Sequence, residues 1–158
     1  MGVIHARVDE RLIHGQVATV WTNSLGAGRI MVVNDLAVKD QIQIGALKMA
    51  KPVGVKLSIL STRKAVEKIL EGKYDEEKVF LITKNIEDMA YLIDNGVPLT
   101  HFNVGNISAK PGSKAIKKSV ALTGEDIEVI NKLTDKGVNI TAQMVPTESN
   151  ESIKNFIK

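Results

Sequence analysis

Residues 3–34, VIHARVDERLIHGQVATVWTNSLGAGRIMVVN, contain a complete strand–helix–strand unit. The β-branched run VIHARV (3–8) predicts one strand, and RIMVVN (29–34) predicts another. Between them, GQVATVWTNSL (15–25) carries apolar residues near helical spacing, and Gly26 is typical of a helix end. Because parallel strands are joined by a crossover helix, this unit predicts a parallel sheet.

The same alternation of apolar runs and amphipathic stretches continues along the rest of the chain, and runs such as VFLI are apolar at every position. Such runs are typical of strands buried on both faces, so we expect a single α/β domain, a mostly parallel central sheet with helices on both faces. The further predicted strands are VKLSIL (55–60), KVFLIT (78–83), THFNVG (100–105), KAIKKSVAL (114–122) and NITAQMV (139–145). The further predicted helices are VKDQIQIGALKMA (38–50), TRKAVEKILEG (62–72), IEDMAYLIDN (86–95), TGEDIEVINKLTDKG (123–137) and ESIKNFIK (151–158).

The composition excludes several classes of protein. The chain has 158 residues, of which 44% are hydrophobic and 25% charged, as expected for one globular domain. It contains no Cys, which excludes disulfides, Cys-ligated metals and thiol nucleophiles and is compatible with the cytoplasm. Its net charge of +3 comes from dispersed lysines, so we expect no nucleic-acid partner. No apolar stretch approaches the roughly 18 residues that span a membrane.

The loop after the first strand, VDERLIHGQ (8–16), holds the densest set of reactive side chains. Ligands of open α/β sheets bind beyond the carboxyl ends of the strands, where Asp9, Arg11 and His14 are predicted to lie. Gly15 opens the following helix, whose free N–H groups favour an anion. An imidazole can carry a phosphoryl group, and an Arg can hold phosphoryl oxygens. From these residues alone, the loop is either a phosphoryl-transfer site or a tight turn with capping and solvated side chains.

Two other strand ends carry polar residues. Asp35 follows the second strand and either supports the first loop or caps the next helix. The segment NVGN contains Asn103, Gly105 and Asn106, and it either offers backbone N–H groups to an anion or forms an ordinary turn.

The remaining motifs do not indicate a further functional site. His5 lies within the first strand and His101 opens a later one, so both are expected to be packing or surface residues. Three dispersed histidines without an i,i+4 pair do not predict a metal site. The four lysines of residues 110–118 either face an acidic partner or lie on a solvated hairpin. The sequence lacks a G-x-G-x-x-G motif after strand 1, a P-loop and a G-x-S-x-G motif.

Three segments together resemble a known family: RVDERLIHGQV (7–17), RIMVVND (29–35) and DNGVPLTHFNVGN (94–106). With the order of elements, they are similar to the IIB component of the bacterial sugar phosphotransferase system (PTS), mannose/fructose/sorbose/N-acetylgalactosamine family. The resemblance covers essentially the whole chain. It implies a single IIB domain over residues 1–158 and a sheet of about seven strands. Glu10 departs from it, since Asp is frequent there, and so does Asn106, where some relatives have a glycine.

The resemblance also implies a function. His14 would accept a phosphoryl group on Nδ1 from a phosphohistidine of a IIA partner and pass it to a hexose-type sugar. The sugar would be brought in by the membrane components IIC and IID. Arg11 would neutralise the phosphoryl charge, and Asp9 would orient the loop or the imidazole. The candidates for supporting the loop or the phosphoryl group are Gly15, Asp35, Asn103, Gly105 and Asn106.

No cofactor or metal is expected, since fixed positive groups can stabilise a phosphoryl group passing between two imidazoles. The resemblance implies a cytoplasmic protein that associates peripherally with its membrane transporter, and the sugar and any homo-oligomer are left open. The alternative is a non-catalytic α/β module that binds a phosphorylated ligand at loop 9–15.

Overall fold

The computed structural model describes residues 1–157 and folds them into an α/β domain with a central sheet. The strands are β1 (Val3–Asp9), β2 (Arg29–Val33), β3 (Lys56–Leu60), β4 (Val79–Thr83), β5 (His101–Asn106), β6 (Lys114–Lys117), β7 (Val120–Leu122), β8 (Asn139–Ala142) and β9 (Glu151–Ser152). The α-helices are α1 (Gly15–Leu25), α2 (Gln41–Ala50), α3 (Thr62–Leu70), α4 (Ile86–Asp94) and α5 (Gly124–Asp135).

Seven strands form the central sheet, in the order β3-β2-β4-β1-β5-β8-β9. Every neighbouring pair is parallel except β8 and β9. The predicted mostly parallel sheet of about seven strands is therefore confirmed. Its strands β2 and β4 are built almost wholly from buried residues, in agreement with their near-continuous apolar runs, and β1 and β5 are buried over most of their length.

Helices cover both faces of this sheet. Alternate residues of a strand point to opposite faces, and Ile30 and Phe80 pack in the core beneath α1 and α2. Their neighbours Met31 and Leu81 pack in the second core, with α3, α4 and α5. Strand β1 lies between β4 and β5, yet its helix α1 leaves on the opposite face from α4 and α5. Such a change of direction between neighbouring strands opens a crevice at their carboxyl ends.

Two predicted elements differ in the structure. The single strand expected at residues 114–122 is an antiparallel hairpin, because a turn at Lys118 and Ser119 separates β6 from β7. The helix expected at residues 38–50 is divided into a 3₁₀ turn, Ala37–Lys39, and α2. Asp40 between them is extended, and its carboxylate accepts hydrogen bonds from the N–H groups at the start of α2.

The predicted terminal helix over residues 151–158 is wrong. Glu151–Ser152 pairs with β8 as strand β9, and Ile153–Asn155 forms one 3₁₀ turn. Ile153 is fully buried in the core, so a long-range contact outweighs the local helical pattern. Lys158 lies outside the described residues.

Candidate functional site

The loop after β1 is a tight turn anchored by two apolar side chains. The N–H of Leu12 donates to the carbonyl of Asp9 at 2.9 Å, and Leu12 has a φ of 61°, in the left-handed region. The side chains of Leu12 and Ile13 are both buried in the core beneath α1 and α2. This left-handed backbone is strained for a bulky residue, and the burial of Leu12 and Ile13 holds it in place. The next residue, His14, is directed to the surface and is exposed.

His14 is the N-cap of α1. Its backbone is extended, with φ −112° and ψ 106°, and its carbonyl accepts the first helical hydrogen bond from the N–H of Ala18. Its imidazole makes no capping hydrogen bond, and the first turn of α1 contains no acidic residue. A Cβ placed on Gly15 would meet no atom within 4 Å, so the space above this turn is open. The exposed imidazole therefore stands beside the free N–H groups of a helix amino end.

The carboxylate of Asp9 organises the loop after β1 through its hydrogen bonds. It accepts hydrogen bonds from the backbone N–H, Nε and Nη2 of Arg11, each at 3.0 Å. The Asp9 side chain is only 2% exposed, whereas that of Arg11 is 27% exposed. Within residues 1–157, the side-chain hydrogen bonds of Arg11 are those that Nε and Nη2 donate to Asp9. The Asp9 carboxylate thus holds the Arg11 guanidinium in one orientation. The Nη1 amine of Arg11 remains available to an external anion.

A second arginine, Arg7, completes a buried ionic triad. Its Nη2 donates to Asp9 Oδ2 at 3.1 Å and its Nη1 to the carbonyl of Gln143 at 2.9 Å. The guanidinium also lies over the ring of Trp21, 5.2 Å from its centroid. Burial lowers the pKa of the Arg7 guanidinium, and the neighbouring carboxylate of Asp9 opposes that shift.

Arg7 was not among the site residues predicted from the sequence. The sequence did contain a signal for Arg7. It is a charged residue within an apolar strand, and it lies two positions before Asp9 and so on the same face of the strand.

The three NVGN candidates have different positions. Asn103 is buried and donates to the carbonyl of Gln143 at 2.7 Å, so its side chain is directed inward. Gly105 lies against the guanidinium of Arg7. Asn106 is partly exposed, and its carbonyl accepts from the N–H of Glu10 at 2.9 Å.

A further contact ties this strand end to the first loop. The Glu10 carboxylate accepts from the N–H of Ser108 at 2.9 Å. Hydrogen bonding at Ser108 lowers the pKa of the Glu10 carboxyl. The loops after β1 and β5 therefore form one connected edge of the sheet.

Asp35 does not cap the next helix, which corrects one of the two predicted roles. The side-chain oxygen of Asn34 accepts from the N–H groups of Leu36 and Ala37 at the 3₁₀ turn, and Asp40 caps α2. The exposed Asp35 instead accepts hydrogen bonds from the N–H and hydroxyl of Thr62, at 2.8 and 3.0 Å, at the start of α3. Neighbouring parallel strands end at the same edge, so the carboxylate reaches the helix after β3 rather than its own.

The other two histidines lie away from this edge, near the amino ends of β1 and β5. The ring of His5 stacks on Trp21 at 4.8 Å between centroids and lies 5.6 Å from the ring of His101. Burial, aided by repulsion from His101 and Arg7, lowers the pKa of His5 to about 4. Burial also lowers the pKa of His101. Both pack against other side chains, which is one of the two predicted roles.

The exposed imidazole of His14 and the Asp9-bound guanidinium of Arg11 thus belong to one loop at the carboxyl edge of a parallel sheet, where α/β proteins bind their ligands. The sequence model described as "PTS system sorbose subfamily IIB component" matches residues 3–158. The chain belongs to this family, and the resemblance predicted from the sequence is confirmed. In residues 1–157, no helix has the length and apolar character needed to cross a bilayer.

Relatives and solved structures agree with this family. The chain is 38% identical over 148 residues to the sorbose-specific EIIB component of Lacticaseibacillus casei, covering 94% of this chain and 90% of that protein. The crystal structure of the IIBSor domain of the sorbose permease from Klebsiella pneumoniae has a TM-score of 0.95 and 34% identity, with 99% and 96% coverage. The mannose-specific EIIAB component of Escherichia coli is 34% identical over 143 residues, 90% of this chain and 44% of that protein.

Proposed function

We propose that this PTS IIB component is a phosphocarrier whose phosphorylated residue is His14. The position of His14 is the observation that supports this proposal most directly. Of the three histidines, His14 alone is exposed at the carboxyl edge, in the loop that contains Arg11 and at the amino end of α1. His5 and His101 are partly buried and pack on each other.

The proposed reaction consists of two transfers. The lone pair of the neutral His14 imidazole attacks the phosphorus of a phosphohistidine on a IIA component, and the N–P bond of the donor breaks as that of His14 forms. The phosphoryl group then passes from His14 to a sugar hydroxyl. An O–P bond forms, the N–P bond breaks, and the freed imidazole nitrogen takes up the hydroxyl proton. The family resemblance makes Nδ1 the expected phosphorylated nitrogen.

Residues around His14 suit the transferring phosphoryl group. Arg11 carries a positive charge in the same loop as His14, and its bonds to Asp9 hold the guanidinium in one orientation before any ligand arrives. The N–H groups at the start of α1 add partial positive charge. Groups that are fixed in advance stabilise a charged transition state without reorganising, which suits a transfer that needs no metal. Arg7 touches Asp9 and not the open surface, so we assign it a positioning role.

The proposed partners are a phosphorylated IIA component, the membrane components IIC and IID, and a sugar. The name of the E. coli relative, EIIAB, joins a IIA and a IIB designation in one chain, which supports IIA as the donor. The sugar is a hexose-type substrate whose identity we leave open, since the relatives are named for sorbose and for mannose.

The test is phosphoryl transfer from a purified, phosphorylated IIA component, followed by site mapping with mass spectrometry. We expect an acid-labile, base-stable label on His14 that is absent from the His14→Ala variant. The matched variants His5→Gln and His101→Gln should each still be labelled on His14. Label that persists in His14→Ala would exclude His14 as the acceptor, and reversible binding of phosphate without a covalent label would favour the non-catalytic alternative.

A further inference from the structure

Helix α2 has an outward face that is apolar. Ile42 and Met49, seven positions apart and so on the same side of the helix, are 87% and 88% exposed, and Val53 just beyond the helix is 101% exposed. Gly45 and Ala46, between them, are exposed as well. We call these five residues the α2 face. Polar side chains are the norm at such positions, and clustered exposed apolar residues mark an interaction surface.

Packing within the domain does not account for the α2 face. The opposite side of α2 supplies Leu47 to the core beneath α1 and α2, so the helix is apolar on both sides. Replacing an apolar side chain that is almost fully exposed with a polar one costs the fold little. The apolar character of Ile42, Met49 and Val53 therefore suits a contact outside residues 1–157.

The charged residues within α2 and in the segment that follows it are positive. Residues 41–66 contain no Asp or Glu, whereas Lys48, Lys51 and Lys56 are among their basic residues. The nearest acid on the amino side is Asp40, whose carboxylate is bound to the first N–H groups of α2. A groove of about 510 Å³ adjoins the helix at the edge strand β3, and its lining residues are Val38, Ile44, Lys48, Lys51, Leu57 and Ile59.

We propose that the α2 face rests on the surface of an anionic phospholipid bilayer. Ile42, Met49 and Val53 enter the boundary between headgroups and acyl chains, while Lys48 and Lys51 pair with lipid phosphates. An apolar face flanked by lysines is the composition that binds such surfaces. The contact is a surface association and adds to any contact with the membrane components.

The charge pattern argues against a second copy of this chain as the occupant. A contact between two copies through α2 would join two positively charged surfaces, since each copy carries Lys48 and Lys51 against the single neighbouring acid Asp40. An anionic bilayer supplies the missing negative charge in every orientation of the helix.

Vesicle binding tests the proposal. The whole chain is sedimented with vesicles of phosphatidylcholine alone and of phosphatidylcholine mixed with phosphatidylglycerol, at low and high salt. We expect binding to the anionic vesicles that weakens with salt. It should fall about tenfold or more both in Ile42→Ser/Met49→Ser/Val53→Ser and in Lys48→Glu/Lys51→Glu. The matched control Leu70→Ser/Tyr91→Ser, which changes exposed apolar residues of α3 and α4, should bind like the unmodified chain.

Three results would overturn the proposal: no binding of the unmodified chain, equal binding to both vesicle types, or unchanged binding of the α2 variants.

A second assay tests whether the α2 face binds a protein partner instead of lipid. The triple serine variant should accept a phosphoryl group from IIA in solution at an unchanged rate, and a loss would assign the α2 face to IIA instead. Because vesicle binding needs no phosphoryl donor, its outcome is independent of whether His14 is the phosphorylated residue.

Discussion

The guanidinium of Arg7 lies directly on the backbone of Gly105. A Cβ atom on residue 105 would stand 2.1 Å from Cζ of Arg7 and 2.2 Å from both of its terminal nitrogens. Glycine is therefore required at this position so that the buried arginine can reach Asp9. Strand β1 and the end of β5 therefore fit together through this contact as well as through the hydrogen bonds of Glu10.

Gly105→Ala should destabilise the fold by about 1–3 kcal/mol, because the new methyl group must displace a buried charged group from its two acceptors. Urea unfolding measures the change. Gly124→Ala, where a Cβ meets no atom within 4 Å, is the matched control and should stay within about 0.5 kcal/mol of the unmodified chain. Equal stability of the two variants would show that Arg7 can move without cost.

Asp9→Ala should destabilise the fold by about 3–5 kcal/mol, because it leaves the buried Arg7 without its carboxylate. Asp94→Ala, which removes an exposed pair with Lys136, should cost less than about 1 kcal/mol. Denaturant unfolding of both variants checks the difference. A loss below about 1 kcal/mol in Asp9→Ala would contradict the role of Asp9 as the hub of the triad.

Arg11→Lys should keep the fold and slow phosphoryl transfer on the order of 10²-fold, because lysine keeps the charge and loses the planar fork. Single-turnover transfer from phosphorylated IIA to His14 gives the rate. The exposed Arg63→Lys variant is the control and should transfer at the unmodified rate. If Arg11→Lys transfers as fast as Arg63→Lys, Arg11 is a solvated loop residue.

The stability of the protein should fall as the pH drops from about 6.5 to about 4, through His5. In the unfolded chain His5 takes up a proton near its ordinary pKa of 6.5, whereas in the fold its pKa is lowered to about 4. The unfolded state thus binds more protons in this window, which costs up to about 3 kcal/mol of stability by pH 4.

Urea unfolding at several pH values, compared between the unmodified chain and His5→Phe, isolates this effect from that of the carboxylates. Phenylalanine keeps an aromatic ring against Trp21 and cannot be protonated. The His5→Phe chain should therefore lose less stability on acidification. Parallel pH curves for the two chains would show that His5 is not held neutral by the fold.

Much of the architecture could be predicted because its signals are local. Apolar runs located β1, β2 and β4, and helical spacing ended by Gly26 located α1. Asn85 caps α4 through an equally local contact, because its side chain accepts from an N–H group only three residues away. Where a long-range contact opposed the local pattern, as at Ile153, the predicted helix was wrong.

The sequence by itself determined the α/β class, the parallel sheet, the family and the candidate loop with Asp9, Arg11 and His14. Only the tertiary structure decided how those residues are held. Arg7 meets Gln143 across 136 positions of the chain, and Asp35 binds Thr62 rather than the helix that follows it. Such contacts depend on which strands become neighbours in the sheet. The order of the strands in the sheet depends on how both cores pack together, so no single stretch of the sequence specifies it.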